Sequence, residues 1–123
     1  MFIVKTIVKT SEIHGFGVFA DQDIPKGTII WKFQPNFDIV INDEQFKELP
    51  EIAKEFVIHY GYYRKEEGGY IMCSDNAKFT NHSDKPNTEM DGCSTIAMVD
   101  IKKGEEITED YYNFDATADI KLR

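Results

Sequence analysis

The sequence predicts an α+β fold that is mostly β, with one helical insert. Short apolar runs recur along the chain between turns that contain glycine or proline, which indicates many short strands. One stretch, residues 43–59, instead has apolar residues at spacings of three or four, which is typical of an amphipathic helix. The length of 123 residues fits a single domain of ordinary size, so we expect one domain over residues 1–123.

Three short strands are predicted in the first third of the chain. Residues 2–9 alternate with a period of two and are rich in β-branched side chains, so they are expected to form the first strand. Glycines interleave with large apolar side chains over residues 15–20, where a second strand should begin. Residues 23–27 contain a turn with proline and glycine, and the apolar run of residues 28–33 follows as the third strand.

The helical insert has a start signal and an internal break. Asn42 is placed to cap the helix, and Gln45 three positions later can complete a capping box. Pro50 should break or offset the helix, because proline lacks an amide N–H and clashes with the preceding turn. The apolar face is predicted to consist of Phe46, Leu49, Ile52, Phe56 and Tyr60.

A hairpin and further short strands complete the predicted fold. Aromatic and apolar residues over 60–63 and 70–73 flank the charged, glycine-rich turn of residues 66–69, as in a β-hairpin. The last third again alternates apolar runs with turns. These are strands at residues 94–99 and 106–108 and turns at Asp91-Gly92 and Lys103-Gly104.

The charge balance is acidic and bounds the partners. Asp and Glu number 22 against 14 Lys and Arg, for a formal net charge of -8. Duplex nucleic acid is an unsuitable main partner, because phosphate binding needs a basic face. The excess acid suits a basic partner, although its ordinary role is solubility. No apolar run approaches a membrane span and no signal-peptide core is present, so we expect a soluble cytoplasmic protein, with a nuclear or host-directed location left open.

The cysteines and histidines carry no metal-binding spacing. Cys73 and Cys93 are far apart without a Cys-x-x-Cys motif, so reduced, buried thiols are expected and no zinc site. A metal-dependent hydrolase using His14, His59 and His82 is a weak alternative, since their spacing matches no common ligand set.

Three polar or glycine-containing clusters could carry chemistry. Gly15-x-Gly17 follows a strand, and its main chain could approach a carboxylate or phosphate, although alone it reads as a tight turn. Residues 78–87 contain Asn81 and Asn87, whose amides could recognise a purine edge, and His82, which alone is more often structural. Residues 103–112 would ordinarily be a turn and an edge strand with solubilising acids.

Taken together, the three clusters resemble the SET-domain family of protein-lysine methyltransferases. The resemblance rests on Gly15 to Ala20, then Asn81-His82-Ser83 with Pro86-Asn87, then Gly104 to Ile107 with Asp110-Tyr111, in that order. It spans about residues 5–115 and leaves a short tail, residues 116–123. It implies a β-clip-like SET fold of short curved sheets with a pseudoknot, in which the second and third clusters meet at one site.

The resemblance also implies S-adenosylmethionine as the cofactor. Gly15, Phe16 and Gly17 would present main chain to its methionine carboxylate and amine. Asn81 and His82 would hold the adenine end and the ribose side. The remaining cofactor residues implied are Lys78 as a basic contact, Tyr70 on a strand lining the pocket, and Phe114 stacking on the adenine.

By the same resemblance Tyr111 is the active-site tyrosine. A lysine amine has a reference pKa of about 10.4 and must be neutral to react, which favours a desolvated tunnel. A phenol can orient the amine without itself being charged at pH 7. Tyr60, Tyr62 or Tyr63 could supply a second tunnel tyrosine; we favour Tyr62, because strand alternation would aim Tyr60 and Tyr62 the same way.

Two positions depart from the family pattern. Glu109 stands two residues before Tyr111, where many members carry the Phe or Tyr that limits how many methyl groups are added. An acid there could hold the incoming ammonium in its charged form. Tyr112 replaces a frequent glycine, and residues 116–123 contain no cysteine, so no zinc-binding flank is expected and the tail could leave the lysine channel partly open.

Two functions from different classes follow. The first is a methyltransferase that modifies a lysine in a basic protein or peptide, histone-like or other, which the acidic surface would attract. The alternative is a SET-like binding or scaffold module of little or no activity, because of Glu109 and the short tail. The chain could also form a homodimer.

Overall fold

The computed structural model describes the backbone of residues 1–121 and the side chains of residues 1–119, so the last two residues of the expected tail lie outside the described part. The chain there forms short strands, short α-helices and three 3-10 segments. The strands are β1 (Thr6–Thr10), β2 (Phe16–Ala20), β3 (Ile29–Lys32), β4 (Ile39–Asn42), β5 (Tyr62–Arg64), β6 (Gly69–Met72), β7 (Asn81–His82), β8 (Thr88–Asp91), β9 (Ser94–Ala97) and β10 (Glu106–Glu109). The helices are α1 (Asp43–Glu48), α2 (Glu51–Tyr60) and α3 (Ala118–Lys121), and the 3-10 segments are Lys65–Glu67, Asn76–Phe79 and Tyr111–Asn113.

The strands form three small sheets, with orders β1-β2-β10-β7, β3-β9-β8 and β4-β6-β5. Most pairs are antiparallel, whereas β10 and β7 run parallel. The mostly β architecture with a helical insert is therefore confirmed.

Strand β10 brings the predicted clusters together. It pairs with β2 on one side and with β7 on the other, where Thr108 faces Asn81 and Glu109 faces His82. The chain after β7 then turns back over the same strand, since the Asn87 side-chain oxygen accepts the N–H of Thr108 at 2.9 Å. The residues just before and after the turn at Pro86 thus contact one strand, and all three clusters meet around it.

The core consists mainly of aliphatic side chains, together with Phe2, Trp31 and Cys73. Burial of such surface stabilises a domain by roughly 25 cal/mol per Å² of apolar area. The largest fully buried side chains are Ile24, Ile30, Ile101, Ile107, Val18 and Thr88.

The helical insert is two helices rather than one continuous helix. Asn42 and Gln45 form the predicted capping box, with both reciprocal hydrogen bonds present. Pro50 stands at the start of α2, which confirms the predicted break. Val57 is the buried residue of α2, while Ile52 and Phe56 remain 79% and 49% exposed, so the predicted apolar face is only partly covered.

Some predicted boundaries and environments are wrong. The first strand begins at Thr6 instead of residue 2, because Phe2 leaves that line to form an isolated bridge with Trp31 and to enter the core. Cys73 is buried as expected, but Cys93 is exposed beside the turn at Gly92. Both cysteines are free thiols.

Candidate active site

A large cavity of about 490 Å³ lies where the glycine cluster meets the Asn-His segment. Six of the residues predicted for the site line it, and four of these are polar, charged or phenolic. We call it the large cavity, and its lining consists of Ile13, His14, Gly15, Phe16, His59, Tyr60, Lys78, Phe79, Thr80, Asn81, His82 and Tyr111.

The side chain of Asn81 holds the glycine loop against β10. Its Nδ2 lies 3.1 Å from the His14 carbonyl oxygen and 3.0 Å from that of Phe16. The same amide lies 2.9 Å from Oε2 of Glu106. Because its amide nitrogen is committed to these acceptors, Asn81 shapes the cavity wall from behind rather than reaching into it with that group.

Gly17 allows a second close contact in the same region, between β2 and β10. A Cβ at this position would come within 2.5 Å of Oε2 of Glu106 and 3.0 Å of Ser11 Cβ. The Glu106 carboxylate is not free to move aside, because Ser11 Oγ donates to it at 2.7 Å and Asn81 donates to its other oxygen. Gly17 itself does not line the large cavity; its role is the close approach of β2 to β10.

His82 connects the second and third clusters. Its Nδ1 accepts the backbone N–H of Tyr111 at 3.1 Å, and its Nε2 lies 3.1 Å from Asp84 Oδ1. This pattern assigns the neutral tautomer with the proton on Nε2. Both ring nitrogens therefore serve protein contacts, and His82 sets the start of the 3-10 segment that carries Tyr111.

Tyr111 lines the large cavity and is held in place by a main-chain acceptor. Its hydroxyl donates to the carbonyl oxygen of Thr80. Burial, with a smaller contribution from Glu109, raises the pKa of its phenol above the ordinary value. The Tyr111 phenol is therefore uncharged over the neutral pH range, and its hydroxyl is held in a fixed position. Tyr112, beside it, is exposed and does not have a positive φ, so the replacement of glycine there causes no strain.

A small cavity of about 40 Å³ adjoins the large one, and the two share Tyr60 and Lys78 as wall residues. Its surface is mainly aromatic and sulfur-containing, with one carboxylate among the described lining residues. We call it the small cavity, and its lining consists of Trp31, Tyr60, Tyr62, Cys73, Ala77, Lys78, Met90, Thr95, Glu109 and Phe114.

Aromatic rings build the walls of the small cavity. The ring of Tyr62 meets Phe114 edge to face at a centroid distance of 5.2 Å, and Trp31 at 6.5 Å. Phe114 in turn lies 5.8 Å from Tyr111, so the rings form a continuous chain from one cavity to the other. Burial raises the pKa of the Tyr62 phenol, with smaller contributions from Cys73 and Glu109.

Of the three candidate tunnel tyrosines, Tyr60 and Tyr62 line the small cavity and Tyr63 does not. The hydroxyl of Tyr63 points to the outer surface and donates to the carboxylate of Asp43 at 3.0 Å. Tyr60 and Tyr62 do line the same cavity, but strand alternation is not the reason. Tyr60 is the last residue of α2, and only Tyr62 lies in β5.

Three further residues considered for ligand contact do not line the large cavity. Tyr70 faces away from both cavities and packs on Phe46 and Tyr63, at centroid distances of 4.9 and 5.1 Å. Phe114 lines the small cavity rather than the large one, and its stacking on the adenine stays a prediction. Asn87, considered for purine recognition, donates to the Glu106 carbonyl oxygen at 2.8 Å and serves as a structural bridge.

The sequence reasoning overlooked several cavity residues. Phe79 directly follows Lys78 and contacts both Phe16 and Tyr60, with centroid distances of 6.3 and 5.8 Å. Its position beside the Asn-His motif was an available signal. Trp31 and Met90 come from strands far from any motif, and only the folded chain brings them to the small cavity.

The histidines do not form a metal centre in the described residues. His14, His59 and His82 all line the large cavity, yet residues 1–119 contain no group of three His, Cys, Asp or Glu side chains arranged to hold a metal ion.

In the described part, no helix is long and apolar enough to cross a membrane.

Comparison with known families decides the classification. The family described as SET domain matches residues 15–112, a range that includes the glycine loop, β7 and the segment of Tyr111. The chain belongs to the SET-domain family. The expected SET fold is confirmed by this match and by the likeness to solved structures.

The SET match extends to curated histone-lysine methyltransferases. The chain is 30% identical over 119 residues to the H3 lysine-36 specific histone-lysine N-methyltransferase of Schizosaccharomyces pombe, and 27% identical to that of Candida albicans. The alignment covers 87% of this chain and 14% of each of those proteins. The chain therefore spans about a seventh of the length of these relatives.

Solved structures support the same SET fold. A crystal structure of a Plasmodium falciparum protein assigned as a histone methyltransferase is 25% identical, with a TM-score of 0.62 over 88% of this chain and 93% of that one. Chaetomium thermophilum Polycomb Repressive Complex 2, bound to an inhibitor, gives a TM-score of 0.68 at 19% identity, over 97% of this chain and 17% of that one. The second likeness concerns the fold alone.

Proposed function

We propose that this SET domain is an S-adenosylmethionine-dependent protein-lysine N-methyltransferase. The observation that carries the proposal is the pair of adjoining cavities, a large mixed one and a small aromatic one, which share Tyr60 and Lys78, with Tyr111 in the wall of the large one. A transfer between two ligands needs such an arrangement, because each reactant occupies its own site and the reacting atoms meet between them.

The large cavity fits the cofactor in size and chemistry. Its volume of about 490 Å³ is within the range of roughly 300–1,000 Å³ that small-molecule sites occupy. Lys78 and the main chain at Gly15 and Phe16 offer a cation and backbone groups for a carboxylate. Phe16 is 61% exposed and offers an aromatic surface that an adenine would cover.

When bound, S-adenosylmethionine supplies an electrophilic methyl group on a sulfonium. The chain contributes orientation and exclusion of water, by burial of Tyr62 and Tyr111 and by the aromatic walls of the small cavity. Tyr111 would orient the amine with its neutral phenol, whose position is fixed by Thr80. In this scheme Tyr111 and Tyr62 are the catalytic residues, the cofactor contacts come from Gly15, Phe16, Lys78 and His82, and Asn81 is a positioning residue.

The proposed substrate is a lysine in a basic protein or peptide. The curated relatives are named for a histone lysine, and the net charge of -8 favours approach of a lysine-rich segment. The domain would meet such a substrate in the cytoplasm or, for a histone, in the nucleus. Whether two copies associate is a separate question, answered by measuring the mass in solution.

The test is methyl transfer to protein lysine. The protein is incubated with isotopically labelled S-adenosylmethionine and histones or a lysine peptide array, and the products are read by mass spectrometry. Label on lysine supports the proposal. Calorimetry distinguishes the binding-module alternative: cofactor binding without transfer to any peptide favours the module, and absence of cofactor binding at millimolar concentration defeats the enzyme.

A further inference from the structure

Glu109 is the one acidic residue among the described residues that line the small cavity. Trp31, Tyr60, Tyr62 and Phe114 provide the aromatic part of the same lining. Aromatic faces attract cations through their negative quadrupole, and a carboxylate adds a full charge. The combination is chemically suited to an ammonium group.

The position of Glu109 is fixed by its strand. Its residue pairs with His82 across the parallel β10-β7 ladder, and its carbonyl oxygen accepts the N–H of Ser83 at 2.9 Å. The residue is half-buried and stands two positions before Tyr111. The ladder therefore fixes the backbone of Glu109 at a position from which its side chain lines the small cavity.

The charge of Glu109 acts on three ionisable groups, two of which line the small cavity. It contributes to raising the pKa of Tyr62, Tyr111 and Cys73, in each case after the larger effect of burial. These groups come from β5, from the 3-10 segment after β10 and from the segment after β6. Glu109 lies in the wall of the small cavity, and it also lines a neighbouring pocket with Glu89 and Asp110.

We propose that Glu109 pairs with the ammonium form of the substrate amine, so that the small cavity binds a charged lysine and releases its proton only at more alkaline pH. The inference rests on the proposed function. Glu109 is then a binding residue that sets the pH range of methyl transfer, a property beyond the activity itself.

The sign of the effect follows from the charges. A carboxylate beside an ammonium favours the charged form and raises the pKa of that amine. Transfer requires the neutral amine, so the rate falls as pH drops below the raised amine pKa. The other ionisable residues that line the small cavity with Glu109 are Tyr60, Tyr62, Cys73 and Lys78. Glu89 and Asp110 line a neighbouring pocket with it, and the charges of Asp38 and Asp75 also act on Cys73.

The transfer step itself balances without a further reactant. The ammonium first loses one proton to solvent and becomes an amine. The nitrogen lone pair then forms a bond to the methyl carbon, the carbon–sulfur bond breaks, and its electron pair stays on sulfur. The positive charge thus moves from sulfur to nitrogen, and the new methylammonium again lies beside Glu109.

The experiment compares pH profiles of kcat for the wild type and Glu109→Gln, which keeps the shape and removes the charge. We expect the apparent pKa of the kcat profile to fall by about one unit in the variant, so that kcat at pH 7 rises up to about tenfold while KM for the lysine peptide also rises. Glu109→Asp keeps the charge and should keep the alkaline profile. Glu55→Gln, which removes an exposed charge on α2, is the matched control and should match the wild type.

A second readout does not depend on activity. Calorimetry at pH 7 compares a lysine peptide with the same peptide carrying norleucine. The wild type should prefer lysine, and Glu109→Gln should lose that preference. If the wild type transfers no methyl group but keeps the Glu109-dependent preference, the proposed function fails and the ammonium site stands. An unchanged pH profile in an active Glu109→Gln variant, or equal binding of lysine and norleucine by the wild type, overturns the inference.

Discussion

At the residue scale, Asn81 shows how one side chain can shape a site without reaching into it. Its amide joins the loop at His14 and Phe16 to the Glu106 carboxylate on β10, and the residue is 8% exposed. Buried polar groups are costly to leave unpaired, so the loop and the amide constrain each other. The glycine loop therefore has a defined shape before any ligand arrives.

Replacement of Asn81 by alanine should weaken both the fold and cofactor binding. We expect a loss of about 2–3 kcal/mol in the free energy of unfolding, because two main-chain carbonyls and a carboxylate lose a donor. Asn87→Ala is the matched control, since its amide bridges β10 away from the large cavity. Denaturation and calorimetry measure the two effects; an Asn81→Ala variant that binds the cofactor as well as Asn87→Ala does would contradict the positioning role.

At the residue scale, the sequence predicted which residues lie at the site better than it predicted what those residues contact. The Asn-His and Asp-Tyr motifs pointed to Asn81, His82 and Tyr111, all of which line the large cavity. The motif did not reveal that Asn81 braces a loop or that both nitrogens of His82 serve the protein. The resemblance implied that Tyr70 lines the cofactor pocket, whereas its ring packs on Phe46 and Tyr63, a contact that the motifs do not encode.

At the element scale, β10 organises the site. It is the only strand in the described part that pairs with both β2 and β7. The close approach of β2 depends on Gly17, and the carboxylate of Glu106 occupies the space where a side chain would be. The glycine loop, the Asn-His segment and the Tyr111 segment are thereby held to one strand.

A methyl group at Gly17 should disturb this approach. Gly17→Ala is expected to lower the free energy of unfolding by about 1–3 kcal/mol, because the new Cβ overlaps a carboxylate already held by Ser11 and Asn81. Chemical denaturation of Gly17→Ala, Glu106→Ala and the double variant forms the test. The double variant should lose less than the sum of the single losses, since removal of Glu106 relieves the overlap. Strict additivity would show that the two residues do not share the space.

Elements whose sequence signals lie close together in the chain were predicted, and elements that depend on a distant partner were not. The capping box at Asn42, the break at Pro50 and the hairpin of β5 and β6 were predicted, because each depends on residues close in sequence. Strands β4, β7 and β8 were not, and β7 has only two residues. Such a strand exists because a distant partner, β10, supplies its hydrogen bonds.

At the scale of the whole molecule, charge is the property that acts on a substrate before contact. The net charge of -8 attracts a lysine-rich segment, and about 8 Å of screening length at physiological salt limits the reach of that attraction. The fold leaves two adjoining cavities, so long-range attraction and the local recognition of one amine are separate contributions.

Salt should therefore affect KM more than kcat. For a peptide with several basic residues, an increase in ionic strength from about 0.05 to 0.5 M should raise KM several-fold, because screening weakens attraction between exposed charges. A peptide with the target lysine and otherwise neutral residues serves as the control and should change little. Equal salt sensitivity of both peptides would show that the acidic surface does not select the substrate.

The central claim is that Tyr111, which lines the large cavity and contacts Phe114 of the small one, serves methyl transfer to lysine. The most direct test measures labelled methyl transfer to a lysine peptide by the wild type, Tyr111→Phe and Tyr112→Phe. Tyr112 is adjacent and 58% exposed, so its hydroxyl controls for the loss of a phenol in the same segment. We predict that Tyr111→Phe loses about 10²-fold in kcat with an unchanged fold, and that Tyr112→Phe stays within about twofold of the wild type. Full activity in Tyr111→Phe, or no transfer by the wild type to any lysine, would contradict the account.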